Sequence, residues 1–307
     1  MNSRDGLRGT LGAALAMCFV GTLAAVSATL GDYPIFGGQA VRYAVAAVIL
    51  FAADRVVGNR SGTWRHPRGQ REWALLAGLA ATGLAAFNVF VVSATHYAGP
   101  ATVGTVIATV PIALALVGPA LDGRRPHPRV VVAAMVVTAG AALANGLGSG
   151  SVPGLLLALG ALGGEVCFSL LAVPLLPALG PVRVSAYSAA LAAPMLFAAG
   201  LAVDGAGVVR VPTAGEAAGL AYLAAIVTTI AFFLWYDALG RLGADRAGLF
   251  AGLIPVSAVG TTVVLGLGRP GPPDLAGAAL VAVGVVAGLS TPKARRTARY
   301  AAATTRG

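Results

Sequence analysis

Ten apolar segments, each about as long as a bilayer is thick, leave this chain few folds to choose from. Cut at its charged, Pro-rich and Gly-rich breaks, the sequence yields segments at residues 10–30, 35–53, 73–94, 101–121, 130–147, 152–176, 184–203, 217–239, 247–267 and 275–290, the last of them the shortest. A helix needs about 20 predominantly apolar residues to cross the hydrocarbon. Helices are required because lipid offers no partner to backbone N–H and C=O groups, which must then be satisfied inside the segment. The apolar mass is mostly Ala, Gly, Val and Leu, with aromatics at only 7%, which suits helices that approach closely through small side chains. The expected fold is an all-α polytopic membrane protein with ten transmembrane helices.

The distribution of charge checks that division independently. A formal charge of +10 would point to nucleic acid in a soluble chain, but here Lys and Arg fall between apolar segments and build no basic face interleaved with aromatics. No nucleic-acid partner is expected. With the N-terminus placed inside, the cytoplasmic segments hold 18 of the 21 basic residues, including Arg55, Arg60, Arg65, Arg68 and Arg71 in one linker and Arg124, Arg125 and Arg129 in another. The outer loops keep only Arg210 and Arg269, and Arg42 lies within a span. Cytoplasmic ends carry the excess of Lys and Arg, so both termini are expected in the cytoplasm, in a multi-pass protein of the cytoplasmic (inner) cell membrane. The first segment follows Arg4 and Arg8 as a signal peptide would, but its length and the many spans after it mark a retained helix. The Arg-rich linker at 54–72 and the basic tail at 291–307 read as topology determinants beside anionic lipid. Trp64, Trp73, Trp235 and Tyr236 fall near the inner interface and read as belt anchors.

The sequence also repeats itself. Shifted by 144 residues, Ala94 falls on Ala238, Gly99 on Gly243, Gly104 on Gly248 and Pro111 on Pro255. Further on, Arg125-Pro126-His127-Pro128 falls on Arg269-Pro270-Gly271-Pro272, and Val137 and Gly140 fall on Val281 and Gly284. Two halves, 9–147 and 152–290, would each hold five spans, and an odd number turns the second half upside down. Inverted five-helix repeats are characteristic of secondary transporters, whose substrate site lies near the midplane at the repeat interface.

On these residues the sequence resembles the EamA-type transporters of the drug/metabolite transporter superfamily. The resemblance is carried by Pro34 with Arg42 eight residues on, by Pro111 leading to Asp122-Gly123-Arg124-Arg125-Pro126, by Gly140 with Ala141 and Ala142, and by Pro255 and Gly284. It covers most of the chain and implies two homologous five-helix halves and a carrier of small molecules, with export the direction. Asp122 stands where such proteins usually have Glu, Gly266 replaces the matching acid in the second half, and Glu165 occupies a position often aromatic.

Few groups within the spans are ionisable, and each is costly there, about 2.5–3.5 kcal/mol at a helix centre on insertion scales. Glu165 is the only acid near the middle of a span. A carboxylate in low dielectric favours its neutral form, so Glu165 is a candidate proton carrier or a counter-charge to a cationic substrate, and equally a structural partner for Arg42. Arg42, with Gln39 one turn before it on the same face, could hold an anionic substrate group through its planar fork or tie helices together. Asn88 either lines a cavity or bonds a neighbouring helix. Tyr187, Tyr222, Thr228, Thr229 and Phe232 are further cavity candidates. Pro111 and Pro255 sit mid-span at matching positions, where a proline weakens the helical ladder, and paired interruptions point to a transporter site. Gly284 and Gly288 form a small-xxx-small pair, suited to a contact inside the protein or between the protomers of a homodimer.

No metal or cofactor is expected, since Cys18 and Cys167 lie apart in apolar runs and no ligand cluster accompanies His96 or His127. The leading expectation is a secondary active carrier of a small metabolite or drug-like compound, working by alternating access among membrane lipids, with proton coupling assigned to Glu165. A polytopic enzyme acting on a lipid is the alternative, although the sequence offers no nucleophile elbow, metal cluster or Walker motif. A channel would want repeated polar rings, which the spans lack.

Overall fold

The computed structural model describes residues 3–61, 66–146, 150–264, 266 and 269–290. Trp64, Arg65 and the basic tail at 291–307 lie outside the described residues. Among the described residues nine helices are long and apolar enough to cross a membrane, and the strand content is a single isolated bridge between Ala98 and Gly150.

Numbered by span, α1 is Ser3–Gly21 continued by Leu23–Ala28, α2 is Ile35–Ser61, and α3 runs through Gly69–Gly78, Leu79–Ala86 and Phe87–Thr95. Helix α4 is Pro100–Ile107 followed by Val110–Leu121, α5 is Pro128–Asn145, α6 is Val152–Leu170 and α7 is Leu176–Asp204. Helix α8 runs through Ala214–Tyr222, Leu223–Ile230 and Ala231–Leu242, and α10 is Pro272–Leu289. Between them α9 is built of three consecutive pieces, Ala244–Ala247, Gly248–Gly252 and Leu253–Val264. It occupies the place of the ninth apolar segment.

Local chemistry sets several of these boundaries. Pro100, Pro128 and Pro272 each open a helix, where a proline's missing N–H costs nothing. Thr213 and Glu216 form a reciprocal cap at the start of α8, with Glu216 N donating to Thr213 Oγ1 at 3.3 Å and Thr213 N to Glu216 Oε2 at 2.8 Å. The sixth segment, expected to reach residue 176, ends as a helix at Leu170, and a turn at 171–175 leads into α7. Helix α7 is then kinked at Gly180, whose φ of +75° favours a residue without a Cβ.

The repeat extends to the backbone itself. Leu79–Ala86 and Leu223–Ile230 are both π-helical, and both ends differ by the same 144 positions that separate Pro111 from Pro255. Phe87 N–H reaches Thr82 O, and Ala231 N–H reaches Ile226 O, five residues back in each case. The breaks in α4 and α9 also correspond: α4 is interrupted at Ala108 and Thr109 before Pro111, and α9 passes from a 3₁₀ turn to an α-helix at Gly252 and Leu253 before Pro255. The carbonyl of Ala108 accepts from Thr138 Oγ1 of α5 at 3.2 Å.

The two halves meet most closely where α5 packs on α10. A Cβ on Gly140 would lie 2.7 Å from Gly277 O, and one on Gly284 would lie 2.6 Å from Val137 Cγ2, so backbones touch only because side chains are absent. The Gly284/Gly288 pair is therefore used inside the protein, with Gly288 against Leu249 and Ala133, and gives no basis for a homodimer.

Ion pairs gather at the helix ends. On the face of the N-terminus, Arg241 bonds Asp5 and Asp237, both at 2.7 Å, and Arg183 bonds Asp54. On the opposite face Arg210 pairs with Glu216, and its carbonyl accepts from Tyr33 Oη at 3.0 Å. Trp73 is 43% exposed, as a belt residue would be, but Trp235 and Tyr236 are 2% and 0% exposed and belong to the core. They share a buried stripe with Phe232, Leu239 and Leu242, and a helix that is covered on this face cannot offer its aromatics to the interface.

Candidate functional site

A cavity of about 820 Å³ penetrates the bundle, within the range of sites that take small molecules. At one end it is lined by Leu30, Gly31, Pro34, Pro100 and Asn145, all on the face opposite the N-terminus. At the other end Met17, Phe168 and Trp235 form the floor. Phe168 and Phe232 stand 4.9 Å apart, Tyr43 and Phe232 6.2 Å, so aromatic rings from both halves make one wall. Trp235 is fixed there by an Nε1–H bond to Ser169 Oγ at 3.3 Å. The cavity thus reaches the face opposite the N-terminus.

Arg42 and Glu165 both line this space. The Arg42 side chain is locked: Nε donates to Thr228 Oγ1 at 2.6 Å, Nη1 donates to Gln39 Oε1 at 3.0 Å, and the guanidinium lies 5.2 Å from the Tyr43 ring centroid. Holding a planar cation on neutral acceptors and an aromatic face keeps its charge available to an incoming anion. No ion pair joins Arg42 to Glu165 among the described residues. The reading of Glu165 as a structural partner for Arg42 is corrected accordingly: the acid stands on α6, the arginine on α2, and the arginine's neighbours are Thr228 and Gln39.

Of the other residues singled out in the sequence, Gln39, Asn88, Phe232 and Pro255 line the cavity. Asn88 also bonds its own helix, its Nδ2 donating to Leu84 O at 2.7 Å and approaching Tyr43 Oη at 3.4 Å. Thr228 stands behind the wall, fully buried, and donates to Leu223 O at 2.9 Å. Thr229 donates to Ala224 O, and Tyr222 Oη meets Thr22 Oγ1 at 3.1 Å. Pro111 is buried among the helices and does not border the cavity.

Tyr187 is elsewhere. It lines a separate pocket of about 430 Å³ with Asp54, Arg55, His66 and Arg183, at the ends of α2 and α7. Its hydroxyl meets His66 Nδ1 at 2.8 Å, and its ring packs edge-on against Phe51 and Trp73. It lies outside the larger cavity, because position 187 is near the start of α7, at the end of the bundle that carries the N-terminus. Cavity residues that sequence reasoning missed include Tyr43, Phe87, Phe168 and Asn145. Tyr43 adjoins Arg42 and Phe168 lies one turn after Glu165, so both could have been found by reading along the helix faces.

The sequence matches the EamA-like transporter family twice, over residues 7–146 and again over 152–289. The chain belongs to that family. Within EamA-like proteins it is similar to "Uncharacterized transporter YetK" of Bacillus subtilis (strain 168), with 23% identity over 254 residues covering 80% of this chain and 76% of the relative. A solved chain described only as "Crystal structure of protein" superposes with a TM-score of 0.77 at 22% identity, covering 94% of this chain and 98% of its own. That likeness shows the fold. This EamA-like protein is a multi-pass membrane transporter, and its fold is the all-helical bundle with two repeats.

Proposed function

We propose that this protein is a secondary active exporter of a small metabolite or drug-like compound across the cytoplasmic membrane, working by alternating access and driven by protons. The observation that carries the reading is the cavity: it reaches the face opposite the N-terminus, has Trp235 and Phe168 deeper in its lining, and is walled by helices of both inverted halves. The excess of basic residues on the N-terminal face supports a cytoplasmic N-terminus, and on that orientation the cavity faces outward in this conformation. Arg42 receives an anionic group of the substrate, Asn88 and Gln39 orient its polar part, and the Tyr43, Phe168 and Phe232 rings hold its apolar body. Glu165 lies at the cavity wall without an ion pair among the described residues and takes the proton. Pro255 and the matching break before Pro111 mark where α9 and α4 yield.

The test is efflux and uptake profiling of a deletion strain against a metabolite panel, followed by transport of the responding compound in proteoliposomes. Export of at least one compound that depends on the cavity charge, lost in Arg42→Gln, supports the reading. A responding compound whose transport is unaffected by Arg42→Gln and Phe232→Ala places the path elsewhere.

A further inference from the structure

The twin π turns are alike in backbone and unlike in chemistry. In α3 the side chains bond mainly their own helix, Thr82 Oγ1 donating to Gly78 O at 2.7 Å and Asn88 Nδ2 to Leu84 O, and the one reach to α2 is from Asn88 Nδ2 to the neutral Tyr43 Oη at 3.4 Å. In α8 Thr228 Oγ1 and Thr229 Oγ1 donate to Leu223 O and Ala224 O, each five residues back. The second turn carries a link to a charged group, because Thr228 Oγ1 also accepts from Arg42 Nε at 2.6 Å. The position matching Thr228 in α3 is Leu84, whose side chain has no atom to accept with. The Arg42–Thr228 bond crosses from the first half of the protein to the second, and both residues are buried.

The geometry points to Thr228 as a positioning residue that ties the charge at Arg42 to the α8 π turn and so holds the cavity open toward the face opposite the N-terminus. A π turn carries one more residue than an α turn and is a frequent site of local adjustment. Held by the Thr228 hydroxyl, the Leu223–Ile230 segment keeps its width. Released, it is free to tighten, and everything after it moves, including Phe232 and Trp235 in the cavity wall and floor. An anionic group that draws the Arg42 guanidinium away from Thr228 would release the turn, whereas the α3 turn, without a charge on it, would stay as it is. The inference rests on alternating access in the proposed function but not on the identity of the substrate.

It is therefore tested without one. In a background with Cys18 and Cys167 replaced by alanine, Val259→Cys places a thiol in the cavity wall, and its labelling by a bulky maleimide in nanodiscs reports whether the cavity is open. Thr228→Val removes the hydroxyl and keeps the branched shape, and Arg42→Lys keeps the charge and removes the Nε donor. Each should slow labelling roughly tenfold, equivalent to about 1.4 kcal/mol, the scale of one hydrogen bond to a charged group. Each should also speed amide hydrogen exchange at 223–231. Thr228→Ser, which retains donor and acceptor, should label as the parent does, and so should Thr82→Val in the twin turn. Folded Thr228→Val and Arg42→Lys proteins that label at the parent rate would overturn the inference, as would an equal slowing by Thr82→Val. A transport defect for the responding compound with normal labelling would count against the positioning role while leaving the carrier reading intact.

Discussion

Arg183 Nε sits 3.0 Å from both carboxylate oxygens of Asp54, joining α7 to α2 at the end of the bundle that carries the N-terminus. The two side chains are 10% and 13% exposed, so the pair is largely removed from water. Breaking a buried pair by removing one partner costs about 3–5 kcal/mol, because the survivor is left charged and uncompensated, while replacing both by apolar groups is often neutral. Arg183→Met and Asp54→Leu should each lower the melting temperature in detergent sharply. The double variant should recover most of the loss. Additive losses in the double variant would mean that the two charges do not stabilise each other.

Gly83 gives a second expectation from packing alone. A Cβ there would lie 2.7 Å from Phe168 Cα, and a backbone atom cannot swing aside as a side-chain tip can. Overpacking of this sort costs about 1–3 kcal/mol. Gly83→Ala should reduce thermal stability by that order, whereas alanine at Gly163, whose Cβ would meet nothing within 4 Å, should leave it unchanged. Equal melting temperatures for the two variants would contradict the close approach of α3 and α6.

How far the sequence reveals this architecture can be judged from the same residues. Apolar length and the 144-residue offset were legible because they depend on composition and on Pro and Gly, whose backbone constraints are local. The π turns were not, since no residue type encodes a five-residue hydrogen-bond step. Their trace was nevertheless present: Leu76, Ala77, Leu79, Ala80 and Ala81 recur as Leu220, Ala221, Leu223, Ala224 and Ala225, which extends the repeat back into the third and eighth spans. Trp235 and Tyr236 fall near the end of the eighth apolar segment, where a belt is expected, but the spacing of Phe232, Trp235, Tyr236 and Leu239 marks one helical face, and that face is buried here. The partner of Arg42 was also hidden, because Thr228 is 186 positions away and neutral.

Ligand binding separates the two pockets. Phe232 walls the large cavity and Tyr187 belongs to the smaller one with His66 and Arg183. For a compound found by profiling, Phe232→Ala should weaken binding about tenfold, in keeping with the loss of one aromatic contact of about 0.5–1.5 kcal/mol beyond its area. Tyr187→Phe, which removes only the hydroxyl bonded to His66, should leave the affinity as it is. Microcalorimetry or tryptophan quenching would read both. The opposite order would move the substrate to the pocket between α2 and α7.

Topology is checked by reporters. The excess of basic residues on the N-terminal face predicts an outside signal for a fusion after Gly150 and an inside signal for one after Gly307. An external C-terminus would remove the orientation and, with it, the outward opening assigned to the cavity.

The last expectation concerns energy coupling. Glu165 is the only acid near the middle of a span, it lines the cavity, and no ATP-binding motif is present in the sequence. Because Arg42 is held by Thr228 and Gln39, replacing Glu165 breaks no ion pair, so Glu165→Gln should fold and insert as the parent does. A carrier driven by protons needs one group that binds a proton on one side and gives it up on the other, and glutamine keeps the shape of the side chain while removing that chemistry. In proteoliposomes the variant should therefore lose accumulation driven by a pH gradient and keep exchange of substrate for substrate, which needs no net proton movement. A paired Arg42→Gln, Glu165→Gln protein should restore nothing, since the two charges do not compensate each other in the structure. Recovery of expression and transport in the pair would revive the ion-pair reading. Accumulation by well-expressed Glu165→Gln at the parent rate, under the same gradient, would remove Glu165 as the proton carrier and leave Arg42 and the cavity to be explained without it.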